Sequence, residues 1–367
     1  MTTDHEIGVR IFYRVQMETI DRYIHKIKKS MIDYIPNLGK TIIEEGGTIV
    51  PILIPSKVSQ GWGITNPSVI VKGDEILVNL RCVEYALIHS DKNQKFWSRW
   101  GPLTYSHAEN INALKTFNVL CKLDSETLEV ENHARIDTSE LDTEPKWTFH
   151  GLEDARLAFW DDRLYCIGVR RDVKPDGEGR MQFQEVEYKF NENSYAKEIS
   201  RNRIEPPTPS YCEKNWMPIL DRPFEFVKWT NPTEIVKADL EKNDSIQQHI
   251  SGKTISIDRD LRGGSQVISW NEGWLAITHE LIMKSHENPF NHKDAVYLSR
   301  FIYWDSEWNI KKTSPPFSFL DGRIEFTTGL DHLNEDNVII TFGMCDSSAF
   351  TVRMTKDLIE KLLNRLW

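Results

Sequence analysis

The sequence predicts an all-β protein, a five-bladed β-propeller with an N-terminal helix and a C-terminal helix. Three observations carry this. Between its ends the chain loses helical periodicity and becomes short alternating strands divided by Gly, Asp, Asn and Pro turns. One pattern recurs five times: polar residues, an apolar strand, a turn, a second apolar strand. The 12 tryptophans and 16 phenylalanines suit a large layered β core.

Residues 1–50 read as an extension packed on the propeller. Ile20, Tyr23, Ile24, Ile27, Met31 and Ile35 fall at helical spacing and predict one amphipathic helix. GGTIVPILIP follows as a strand whose proline places it at a sheet edge or a strand end. Residues 51–354 hold the five hairpins, at Asn66–Val83, Gly151–Asp172, Glu213–Pro232, Arg262–Glu280 and Ile324–Phe350. The stretches Ser90–Asn110 and Val173–Arg203 read as insertions. Residues 355–367 form a last amphipathic helix with Thr355 or Asp357 near its cap. Innermost strands around one channel aim their polar starts at one pocket. A β-sandwich with two long insertions is the alternative, and it leaves the five polar starts unexplained.

Composition narrows the function. A net charge of −10 argues against a general electrostatic footprint for nucleic acid. The basic run Arg22–Ser30 reads as a solvated helix face, with a local basic groove as the other reading. The five cysteines show no CxxC spacing, and Cys82, Cys166 and Cys345 lie in apolar strand patterns. They read as buried small hydrophobes in a reducing compartment. No apolar run is long enough to span a membrane and no signal peptide is visible, so the expected setting is cytoplasmic and away from membranes. Dinucleotide, Walker and nucleophile-elbow motifs are missing, and no metal-ligand spacing is present. Asp161-Asp162 reads as a hairpin turn. No cofactor or metal is expected.

The polar starts supply the candidate site. Glu153, Asp154 and Arg156 stand together at the entry to a strand, either as a surface ion cluster or as the rim of a pocket. Asp154 is the candidate general acid or base. Glu153, in an extended segment, should point the other way. Arg81 and Arg156 either bind phosphate through a planar guanidinium or close a blade by pairing with an acid. Asn66 opens the first hairpin, and Lys214 and Asn215 precede Trp216 in the third. In Arg262-Gly263-Gly264-Ser265-Gln266 two glycines let backbone approach a ligand, with Arg262, Ser265 and Gln266 as polar groups. His279 ends the fourth hairpin as a phosphate or sugar contact, or as a structural residue. Glu325 and Asp346 are further pocket candidates. Tyr85 and Trp216 read as stacking faces or as core.

GLEDARL, EKNW, RGGS and NPS followed by NLR, in that order between Asn66 and Phe350, resemble the five-bladed β-propeller superfamily of β-mannoside phosphorylases and related mannosyltransferases. Two departures stand out: Ala155 replaces the proline of that family's Glu-Asp-Pro-Arg motif, and its Ser-x-Asp-Gly segment is missing. The resemblance implies glycosidic-bond chemistry with Asp154 as the single catalytic carboxyl, acting through a sugar hydroxyl. It leads to a glycosyltransferase that moves a mannose-like hexose from an activated phosphate donor to a sugar or other hydroxyl. An inverting phosphorylase of β-mannosides is the close alternative. Phosphate or a sugar nucleotide is then a substrate, and carbohydrate donor and acceptor are the partners. A non-catalytic propeller that binds a glycan or a protein is the reading from another class.

Overall fold

The computed structural model describes residues 37–88, 104–106, 113–257, 259–285, 293–320 and 324–364. The helix expected around Ile20–Ile35, the basic run Arg22–Ser30 and most of Ser90–Asn110 lie outside the described residues.

The protein is mostly β. One nine-stranded sheet contains two four-stranded halves, a first sheet of Gly63–Lys72, Glu75–Val83, Leu114–Leu123, Val130–Asp137, and a second of Leu152–Trp160, Arg163–Arg170, Arg180–Lys189, Tyr195–Ile204. Their outermost strands touch in a short parallel pairing, Ala196 with Ile136 and Lys197 with Asp137. The third sheet holds Met217–Pro218, Glu225–Trp229, Glu234–Asp239 and Asp244–Ile250. The fourth begins with an interrupted strand, Arg262–Gly263 and Ile268–Trp270, then continues Gly273–Ser285, Lys293–Trp304, Ile310–Thr313. The fifth is Glu325–His332, Asn337–Met344, Ser348–Thr355, completed by Thr48–Pro51 from the start of the described chain. Thr48 pairs with Arg353 and Pro51 with Phe350, so early and late strands lock in one sheet.

The inner strands read as nearly continuous apolar runs because both faces are covered. Five apolar clusters lie between neighbouring sheets. Ile70, Leu77, Leu157 and Leu164 fill the space between first and second. Trp160, Phe183, Trp216 and Phe226 follow between second and third, and Met217, Val227, Ala276 and Trp304 between third and fourth. Ile277, Phe301, Phe342 and Val352 lie between fourth and fifth. Val69, Val78, Ile339 and Ala349 then join fifth to first. The sheets therefore form a nearly closed circuit, and its layers absorb much of the aromatic content. Trp160 and Phe226 meet edge to face at 5.6 Å.

Three readings change, and the choice left open at Trp216 falls to core. Val173–Arg203 is not an insertion, because it contributes the two outer strands of the second sheet. A boundary between residues 50 and 51 passes through the strand Thr48–Pro51. Trp216 is core, 1% exposed, and its indole donates to Glu213. Cys345 is half-buried at a turn with φ +52°, while Cys82, Cys121 and Cys166 are buried. The helix Lys356–Leu363 takes Thr355 as its N-cap, the hydroxyl accepting from the Leu358 amide. It buries Leu358, Ile359, Leu362 and Leu363 against the fourth–fifth layer.

The inner segments of the third and fourth sheets bond directly, the Val267 amide to the Pro218 carbonyl and the Leu220 amide to the Val267 carbonyl, whereas those of the first, second and fifth share no ladder and one side chain bridges them. Gln266, 0% exposed, donates through Nε2 to Ser68 Oγ (2.9 Å), the Val69 carbonyl (2.7 Å) and the Leu157 carbonyl (3.0 Å). Its Oε1 accepts from the Leu330 amide at 3.0 Å. A fourth-sheet residue thus joins the first, second and fifth sheets. Replacing it by the apolar near-isostere in Gln266→Leu strips several buried backbone groups of partners, at about 1–3 kcal/mol each. The expected loss is at least about 3 kcal/mol by urea unfolding; a loss below about 1 kcal/mol would remove Gln266 from this role.

Candidate functional site

The site begins with two bulges at matching places. In the first sheet Thr65 faces Arg81 and Ser68 faces Asn79, leaving Asn66-Pro67 opposite one residue. In the second sheet Arg156 faces Ile167 and Glu153 faces Val169, leaving Asp154-Ala155 opposite Gly168. Asn66 and Asp154 take the left-handed conformation there, with φ of +44° and +51°. Asn and Asp tolerate it best among non-glycine residues, and a bulge re-aims a side chain out of the pleat. Gly168 is needed opposite, because a Cβ on it would lie 2.3 Å from the Glu153 carbonyl oxygen. Asn215 and Asp346 also have positive φ, +62° and +49°.

Asp154 is held by two donors on one oxygen: Asn66 Nδ2 at 2.7 Å and Arg81 Nη1 at 2.8 Å. Thr65 Oγ1 donates to Asn66 Oδ1 at 2.9 Å and so fixes which end of the amide faces Asp154. Arg81, 3% exposed, also reaches Glu153 Oε2 (3.2 Å), the Tyr85 hydroxyl (2.7 Å) and Thr116 Oγ1 (2.9 Å). Glu153 therefore does not point away from Asp154. The bulge breaks the alternation, and one guanidinium holds both carboxylates.

Arg156 does not pair with the Asp154 carboxylate. It donates to the backbone carbonyls of Gly264 (2.8 Å) and Asp154 (2.7 Å) and to Asn215 Oδ1 (3.2 Å). Its Nη2 is buried without a partner. Burial brings its guanidinium down to about 10, although the nearby Asp154 charge works to raise it. Lys214 and Arg262 lie close enough to act on the same groups. Together with burial and Arg156 they push His279 down to about 3, so the imidazole is neutral. His279 Nδ1 lies 3.0 Å from the Gly263 carbonyl, which only a donor satisfies, leaving Nε2 as the acceptor. Its ring stacks on Tyr297 at 5.4 Å and meets Phe326 edge-on at 4.7 Å.

The carboxyls divide by environment. Burial works to raise Asp154, but Arg81, Arg156 and the Asn66 hydrogen bond outweigh it and hold the group below its usual range. Burial raises Glu153, whose Oε1 has no partner. Burial, with Asp154 and Glu153 nearby, pushes Asp346 up to about 6. Thr65 Oγ1 lies 3.5 Å from Asp346 Oδ1.

Asn66, Arg81, Glu153, Asp154, Arg156, Lys214, Asn215, Arg262, His279 and Asp346 thus come together from all five sheets. Three expected site residues face elsewhere. Ser265 is 0% exposed and bonds the Gln266 carbonyl and the Ile277 amide. Gln266 is the inter-sheet bridge. Glu325, 1% exposed, accepts from the Phe319 and Leu320 amides and braces that turn. The Gly-Gly pair serves sheet contact, since a Cβ on Gly263 would lie 1.9 Å from the Asn215 carbonyl oxygen. Thr65, Thr116, Tyr297 and Phe326 are site neighbours that no polar start announced. Cavities of about 600 Å³ near Lys237 and about 760 Å³ near His249 lie away from this cluster. No group of three or more His, Cys, Asp or Glu among the described residues is arranged to hold a metal.

No model of a protein family matches the chain, and no curated protein matches its sequence. Solved structures do match. One is described under "The GH130 family of mannoside phosphorylases contains glycoside hydrolases that target beta-1,2 mannosidic linkages in Candida mannan". It is 10% identical with a TM-score of 0.50, covering 88% of this chain and 93% of that one. A candidate glycoside hydrolase from Parabacteroides distasonis is 12% identical with a TM-score of 0.50, covering 80% and 87%. A candidate glycosidase from Bacteroides thetaiotaomicron gives the same figures, 12%, 0.50, 80% and 87%. At these identities the likeness is one of fold.

The Asp346 carboxyl yields a signed test. Its folded pKa lies above the unfolded value, so its stabilising contribution is complete below about pH 4 and is lost as pH rises through about 6. Asp346→Asn removes that dependence. The stability of the variant relative to wild type should rise between pH 4 and pH 7, read from unfolding midpoints across that range. A difference that does not move with pH would mean that Asp346 is not raised.

Proposed function

We propose that this chain is a carbohydrate-active enzyme, a five-bladed β-propeller that cleaves β-mannosides by phosphorolysis with inversion. The five four-stranded sheets are its blades, and the cluster around Asp154 is its active site. The likeness to solved glycoside-active proteins supports the fold. One observation carries the reaction: the buried Arg156 guanidinium, with an unpartnered Nη2, lies beside Lys214, Arg262 and the catalytic carboxyl. Cationic side chains gathered next to an acid, one of them with an open N–H group, suit an anionic nucleophile.

In this reading a phosphate oxygen attacks the anomeric carbon from the face opposite the leaving group. The C1–O bond breaks, the leaving oxygen takes one proton, and the products are hexose 1-phosphate and a shortened glycan. Asp154 supplies the acid–base function, oriented by Asn66 and Arg81. In the ligand-free site it is ionised, whereas Glu153 and Asp346 are the carboxyls raised toward the protonated form. A phosphate beside Arg156 and Lys214 offsets two of the charges that hold Asp154 down. Its pKa then rises, and acid competence is coupled to nucleophile binding. His279 Nε2 accepts from a P–OH or a sugar hydroxyl. Transfer from a hexose 1-phosphate to a sugar hydroxyl is the same reaction reversed, so a phosphate-activated transferase uses the same residues. The fold likeness to mannoside phosphorylases and glycoside hydrolases favours the phosphorolytic direction over transfer from a sugar nucleotide.

The test is a panel of β-mannosides with inorganic phosphate, read by ³¹P NMR for hexose 1-phosphate. Asp154→Asn should lower turnover by about 10²–10⁴-fold while sugar binding persists. Lys214→Ala should raise the KM for phosphate by about tenfold and leave the KM for the glycoside nearly unchanged. Cleavage that ignores phosphate would make the protein a hydrolase. Binding without turnover of any substrate would make it a glycan-binding propeller.

A further inference from the structure

We infer that the cleft between the first and second sheets is a second sugar-binding site, shaped for a single pyranose ring and sharing a wall with the catalytic cluster. It takes its ligand class from the carbohydrate reading above; the site itself stands on its own geometry. The cleft encloses about 290 Å³ and is lined by Trp62, Phe117, His150, Arg170 and Gln184 among others. One water occupies about 30 Å³, so the space exceeds a bridging solvent molecule.

One wall is aromatic. The Trp62 and Phe117 rings lie 5.0 Å apart at 44°, and the Arg135 guanidinium covers Phe117 at 4.0 Å. Such a wall takes the apolar C–H face of a sugar ring. The facing wall is polar and already fixed. Arg170 is held by Asp172 at 2.6 Å, and Asp172 also accepts from the Gly151 amide at 2.9 Å. This pair is internally neutralised, so it fixes the wall without itself calling for an ionic ligand.

The decisive group is Gln184. It is 2% exposed, lines the cleft, and its Oε1 has no hydrogen-bond partner. A buried acceptor left open at the cleft calls for a donor, which a hydroxyl supplies and a carboxylate does not. Lys115 and Arg135, which also line the cleft, disfavour an ammonium. Thr116 also lines the cleft, and its Oγ1 accepts from Arg81 Nε at 2.9 Å. Arg81 in turn holds Asp154, so a sugar in the cleft lies one side chain from the group that orients the catalytic carboxyl.

The experiment uses the Asp154→Asn protein with methyl glycosides of mannose, glucose and galactose, soaked into crystals and titrated by calorimetry. The expected result is a ring against Trp62 with a hydroxyl on Gln184 Oε1. Adding Gln184→Leu should weaken that site at least tenfold and leave binding at the cluster around Asp154 unchanged. In the otherwise wild-type protein Gln184→Leu should leave kcat within twofold. If that variant fails to fold, Trp62→Leu should give the same selective loss. Only ordered water in the cleft, or binding at crystal concentration only, would overturn the inference. A wild-type protein that turns nothing over while a sugar fills the cleft would sink the phosphorolysis reading and leave this one standing.

Discussion

The architecture depends on how buried backbone is satisfied where inner strands of different sheets converge. A strand in the middle of a ladder has partners on both sides, but the first strands of the first, second and fifth sheets face the interior with one edge open. Unpaired N–H and C=O groups there would each cost as much as a lost buried hydrogen bond. Gln266 meets that demand for the Val69 and Leu157 carbonyls and the Leu330 amide. Ser68 contributes by accepting from the Leu157 amide, and Thr328 by donating to the Pro67 carbonyl. With the inner strands pinned, their N-terminal ends cannot drift, and those ends carry the site.

The same convergence explains why the site is made of bulges. A regular strand alternates its side chains between the two apolar layers, so it cannot aim a carboxylate down the open interior. A left-handed residue turns one side chain out of that alternation. Asn66 and Asp154 use the same device in neighbouring sheets and meet at 2.7 Å. The local strain and the close approach at Gly168 are thus tied to function, as is common where non-glycine residues take positive φ.

Sequence reasoning captured the hairpins, their order, the polar start of each unit and the cluster of Asn66, Arg81, Asp154, Arg156 and His279. These are local signals: alternation, turn residues, and polar side chains next to apolar runs. It failed where a long-range contact decides. Ser265 and Gln266 look like pocket polar groups, but their partners are strands of other sheets, and no local pattern reports that. Glu325 likewise binds backbone at Phe319 and Leu320. Glu153 was placed by the rule of alternation, which holds only until a residue such as Asp154 takes positive φ. Val173–Arg203 supplies two outer strands whose charge-rich, mixed faces lack the apolar runs of the inner hairpins, and so it read as an insertion.

Charge then separates what holds the site from what the site can do. Arg81 is spent: its guanidinium faces Asp154, Glu153, Tyr85 and Thr116, and it cannot also bind a free anion. Arg156 has the opposite economy. Its bonds go to two carbonyls and an amide oxygen, neutral acceptors, so Asp154 answers its charge only through space and one N–H group stays open. Burial works against such a charge. An anionic ligand at that open group would add a directly bonded counter-charge. The same ligand would relieve the cationic pressure that keeps Asp154 ionised. Two features that look unfavourable in the empty site, a guanidinium with an open N–H group and a carboxyl too acidic to hold the proton it would deliver, are therefore linked. In the phosphorolytic reading, an anion at Arg156 would relieve both.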